Sequence, residues 1–122
     1  MIDEPDFDPD KPCILEEMQE SSDLSVIREI IDMYVTDVHE QLAKLQKAVE
    51  MGHIRAIADI AHTMAGSAAT FGLKRVWAEA KALEKAAERC ELPKVSALNQ
   101  DLRTSLPLGL RALNLYFEGC VE

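Results

Sequence analysis

Four stretches of this chain repeat apolar residues every three or four positions, and the breaks between them are short. A stripe with that spacing lies along one side of an α-helix and has to be buried against something. The first runs from Leu24 to Met51 through Ile27, Ile30, Tyr34, Val38, Leu42, Leu45 and Val49. The second, His53 to Phe71, carries Ile57, Ile60, Met64, Ala68 and Phe71, and the third, Leu73 to Cys90, carries Val76, Ala80, Leu83, Ala87 and Cys90. The last begins near Pro93 and keeps Val95, Leu98, Leu102, Leu106, Leu110, Leu113 and Phe117 on one side. Gly52 and Gly72 stand where left-handed residues close helices, and Pro93 suits a first helical turn. Pro107 falls inside the last stripe and removes the bond to the carbonyl of Arg103, which predicts a kink or a restart. Short links between long amphipathic helices make neighbours antiparallel. The expected fold is therefore all-α, an antiparallel up-down-up-down four-helix bundle.

Ahead of the bundle, Ile14, Leu15 and Met18 predict a short N-terminal cap helix over residues 13–20, and Asp23 is a fitting N-cap for the helix that follows. Residues 1–12 hold Pro5, Pro9 and Pro12 among acids and read as an irregular arm. One bundle over residues 13–118 and a tail at 119–122 complete the organisation. The net charge of −9 is concentrated at the front, where residues 1–22 hold eight acids against Lys11 alone. Between His53 and Lys94 seven basic residues face five acidic ones, too balanced for a phosphate-binding surface, which argues against nucleic acid as a partner. Cys13, Cys90 and Cys120 are far apart and lack ligand spacing, so reduced thiols are expected. The acidic amino terminus lacks the apolar core of a signal peptide, and no segment has the length of a membrane span. A cytoplasmic monomer with no membrane contact is the expectation.

The stripe of the second helix sets His62 almost opposite its apolar side. Residues three and four apart are surface neighbours, so the imidazole shares its face with Arg55, Ala58, Asp59, Ala65, Gly66 and Ala69, most of them small. A partner protein can reach it there. Glycine inside a helix costs about 1 kcal/mol relative to alanine, so Gly66 needs a reason. Either it clears an approach to the imidazole or it permits a close helix crossing, and periodicity does not choose between them.

The segment AHTMAGSAATFG, followed by WAEAKALE, resembles the histidine phosphotransfer (HPt) domain family, with the match carried by Ala61, His62, Met64, Gly66, Ser67, Gly72, Val76, Ala80, Leu83 and Glu84. The bundle with its cap helix agrees with the family along essentially the whole chain. The resemblance implies that His62 is phosphorylated and relays a phosphoryl group between aspartates on response-regulator receiver domains, one of which can belong to a hybrid histidine kinase. It also implies that Glu84 bonds one imidazole nitrogen and leaves the other pointing outward, a common way of orienting histidines. An imidazole, with a reference pKa of about 6.5, is a competent nucleophile near neutral pH. No cofactor is implied for this chain; Mg²⁺ is expected on the receiver. The chain departs from the family at Ala65, where a lysine usually follows the histidine by three. A phosphoryl group adds about −1.5 to −2 charges, so the lost cation bears on transfer, and Arg55 lies on the same face about 10 Å away along the axis.

Other chemistries find little support. There is no Gly-rich phosphate loop, so no ATP site is expected, and the resemblance implies a phosphoryl-transfer intermediate and not an autonomous kinase. No acids and histidines converge on an apolar helix face to hold a metal. Ser67 lies toward the core flank with no triad partners, and Trp77, beside Val76, is read as a core residue in preference to a docking anchor. His39 and His53 read as a helix-surface residue and a helix-start residue, and Met33 and Val35 are expected to extend the docking surface. The competing function is a phosphate-independent helical adaptor that binds receiver or kinase domains. Ala65 favours it, whereas His62, Gly66 and Glu84 together favour transfer.

Overall fold

A computed structural model describes residues 24–121. It contains four α-helices: α1 Leu24–Met51, α2 Ile54–Thr70, α3 Lys74–Glu88 and α4 Leu92–Val121. The expected arm at 1–12 and cap helix at 13–20 lie outside the described residues.

Each helix packs on the next, and α4 closes back on α1, so the four form a bundle. Side chains fix the directions. Arg28, early in α1, bonds Asn114 late in α4 at 3.2 Å, while Gln46, late in α1, accepts from Asn99 early in α4 at 3.0 Å. The rings of Tyr34 and Phe71 stack with centroids 4.2 Å apart, joining the first half of α1 to the end of α2. The core is aliphatic, with Ile31, Leu45, Ile57, Met64, Leu73, Leu83, Leu102, Leu106 and Leu113 fully buried.

All three links close in the same way. Gly52, Gly72 and Cys90 adopt φ of 67°, 76° and 58°. The residue after each then donates back five positions, His53 to Ala48, Leu73 to Ala68 and Glu91 to Ala86, at 2.8–3.0 Å. These are Schellman closures, in which a left-handed residue satisfies carbonyls the helix leaves open. Cys90 is therefore exposed at a helix end and does not join the seam, which stops at Ala87. His53 caps α2, its Nδ1 accepting from the Ala56 N–H at 3.2 Å. The last helix runs unbroken through Pro107 and on to Val121, beyond residue 118. No restart occurs, because Arg103 and Pro107 are both exposed and water can serve the carbonyl that proline leaves unbonded.

The α2–α3 pair is the most extensively packed. Small residues allow it: α2 buries Ala61, Ala65 and Ala68, and α3 buries Ala80, Ala86 and Ala87. Side chains this short let backbones approach closely.

Candidate functional site

His62 lies on α2 one position after the buried Ala61, and its side chain is 68% exposed. Glu84 reaches it from α3, with Oε2 3.1 Å from the imidazole Nδ1. A carboxylate only accepts, so Nδ1–H donates and the lone pair remains on Nε2, the nitrogen left for a partner. Glu84 is itself held in place, its side chain only 18% exposed and its second oxygen, Oε1, 3.7 Å from Lys81 Nζ one turn earlier on α3. The three side chains form one array, imidazole to carboxylate to ammonium.

The expected surroundings are partly as found. Arg55, Asp59, Gly66 and Ala69 are exposed and Ala58 is half-buried. Ala65 is not on the open face: it is 2% exposed. The cause is the alanine seam, which draws the buried side of α2 toward α3, from the Ile57–Met64 line to one that takes in Ala61 and Ala65. His62 consequently stands on the shoulder of the α2–α3 pair and not opposite the core. A Cβ at Gly66 would meet nothing within 4 Å, so the helix-crossing explanation of this glycine fails and the open approach remains.

Trp77, expected in the core, is 44% exposed. It lies four residues before Lys81 and seven before Glu84, so all three share one side of α3. That periodicity is present in the sequence; of the two readings of Trp77, core or docking anchor, its exposure excludes the core. Met33 is exposed as expected, whereas Val35 lines a groove with Pro107 and Leu110 and so faces α4, away from His62. His39 is exposed and donates from Nδ1 to the Val35 carbonyl at 2.8 Å. Among the described residues no group of histidines, cysteines and acids could hold a metal ion, and no helix is long and apolar enough to cross a membrane.

The described residues thus form a four-helix bundle in which the exposed imidazole of His62 is bonded at Nδ1 by a carboxylate from the neighbouring helix. The Hpt domain model matches residues 29–113, a span that includes His62, Lys81 and Glu84, and the chain belongs to the Hpt domain family. This family serves histidine phosphotransfer in phosphorelays and works with receiver domains and kinases. Neither curated proteins nor solved structures give a match.

Proposed function

We propose that this protein is a cytoplasmic, monomeric phosphorelay intermediate in which His62 takes a phosphoryl group from the aspartyl phosphate of one receiver domain and passes it to the aspartate of another. The observation that carries this reading is the 3.1 Å bond from His62 Nδ1 to Glu84 on an otherwise exposed ring. Nε2 attacks phosphorus in line, its lone pair becomes the N–P bond, and the P–O bond to the aspartate breaks with its electrons leaving on the carboxylate. The proton stays on Nδ1, where Glu84 faces the positive charge the ring acquires. The receiver supplies the leaving or entering carboxylate and its Mg²⁺. Return of the phosphoryl group follows the same path in reverse.

The docking face is the α2 surface of Arg55, Ala58, Asp59, Gly66 and Ala69, extended by Trp77 of α3. It is low and open around the ring, which an approaching aspartyl phosphate requires, and Trp77 offers the kind of aromatic side chain enriched at interface centres. Ala65 lies beneath this face and contributes by letting α3 come close.

The test is transfer from a phosphorylated receiver to wild type and to His62→Gln, with the chemical stability of the label examined. Acid-labile, base-stable label on wild type alone is expected. Label that persists in His62→Gln would place the site elsewhere, and receiver binding without label on wild type would favour the phosphate-independent adaptor.

A further inference from the structure

The array at His62 contains one member to which the transfer reaction as described gives no task. Lys81 contacts the carboxylate oxygen that does not touch the imidazole, at 3.7 Å, and its side chain is 41% exposed. A contact that long between partly exposed groups is weak and readily exchanged. We propose that Lys81 is the cation that holds the phosphoryl group on His62: once Nε2 is phosphorylated, the Lys81 ammonium exchanges Glu84 Oε1 for a phosphoryl oxygen, to which it donates. This rests on the phosphotransfer reading above and adds a residue to it.

The placement follows from the packing. The α2–α3 link turns the chain back on itself, and His62 meets Glu84 across it. Lys81, three residues before Glu84, therefore lies about 4.5 Å further along the pair, level with residues 65 and 66 of α2. Gly66 leaves open space at that level, with no atom within 4 Å of where a Cβ would stand. A lysine stem can lean into that space toward the ring. The other cations nearby are worse placed: Arg55 is two turns back along α2, and Lys85, about 100° round α3 from Glu84, is turned out toward solvent.

Charge supplies the drive. Before transfer, Glu84 serves a neutral ring through one oxygen and Lys81 through the other. When Nε2 forms its bond to phosphorus with Nδ1 still protonated, the ring becomes cationic and binds the carboxylate more strongly. The phosphoryl oxygens bring about −1.5 to −2 charges to the same surface. Lysine is a compact point charge with three donors on a flexible stem, suited to phosphate in any orientation. Exchanging one weak carboxylate contact for a charge-assisted phosphate contact favours the phosphorylated state.

The experiment measures the equilibrium distribution of phosphoryl group between a receiver aspartate and His62 in wild type, Lys81→Met and Lys81→Arg, starting from protein phosphorylated by phosphoramidate. An equilibrium constant is insensitive to docking rate, so a loss of receiver contacts cannot imitate the effect. Lys81→Met is expected to shift the distribution away from His62 by about three- to tenfold, and Lys81→Arg to restore most of it. Nitrogen NMR of the unphosphorylated ring is expected to show the same tautomer in all three proteins. An unchanged distribution in Lys81→Met overturns the proposal and leaves the phosphotransfer reading standing. A shifted tautomer in that variant overturns it as well, since Lys81 would then act only by positioning Glu84. A wild type that accepts no phosphoryl group on His62 from phosphoramidate or from a receiver overturns both.

Discussion

Removing the Glu84 carboxylate is the most direct perturbation of the site, because its consequences for stability and for transfer separate. Glu84 lies outside the buried core, and among the described residues its polar contacts are with His62 and Lys81. Glu84→Ala should therefore cost little fold stability, within the range of about 0–1 kcal/mol typical of exposed ion pairs. Its effect on transfer is larger. A hydrogen bond to a charged group contributes about 1.5–3 kcal/mol, and a ring 68% exposed to solvent argues for the bottom of that range or below it. About 1–1.5 kcal/mol of lost orientation corresponds to a rate reduced about five- to twelvefold. Glu84→Gln keeps an acceptor for Nδ1–H but not the charge, and a neutral bond of about half the strength leaves a reduction of about two- to threefold. Single-turnover transfer from a phosphorylated receiver, with thermal unfolding followed in parallel, reads both quantities. The reasoning fails if Glu84→Ala transfers as fast as wild type, or if the glutamine and alanine variants are equally impaired.

The open space at Gly66 separates helix stability from access. Gly66→Leu should raise stability by about 0.5–1 kcal/mol, because leucine is the better helix former and its Cβ meets no neighbour, yet it should slow transfer at least tenfold by filling the approach to the ring; thermal melts and transfer kinetics on the same sample check the two signs. Cys90 adopts φ of 58° at a position where the two other links use glycine. Cys90→Gly should remove a left-handed strain of about 1 kcal/mol or slightly more, part of it offset by the greater backbone freedom of glycine when unfolded, so a rise of a few degrees in melting temperature with unchanged transfer is expected.

The helices were legible because their signals are local. Leu24–Met51 was read to the residue, since Asp23 and Gly52 mark its ends in the sequence, and α2 differed from its expected span only in that His53 and Phe71 serve as its caps. The His62–Glu84 pair was legible only through the family resemblance; a separation of 22 residues is invisible to periodicity. What the sequence concealed was rotation. Apolar bulk on Ile57, Ile60 and Met64 points to one burial direction for α2, but the burial observed follows closeness of approach, so Ala61 and Ala65 go inside while Ile60 is only half-buried. Cys90 is misplaced for a different reason: it has the spacing of a seam residue, but the helix ends at Glu88 and Cys90 takes the left-handed closing position, which its own identity does not announce.

That rotation is also what makes the site. Were His62 opposite the core, as bulk alone implies, its ring would project away from every neighbouring helix and no carboxylate could approach to 3.1 Å. On the shoulder of the α2–α3 pair it keeps most of its surface in solvent and still meets Glu84. The buried alanines of the two helices bring the backbones together, and the reach of a glutamate side chain then suffices to fix the ring from the neighbouring helix. Exposure and orientation are opposing demands on one imidazole, since a free ring samples many directions and a buried one reaches no partner. The alanine seam meets both, which gives Ala65 a function beneath the surface it was expected to line.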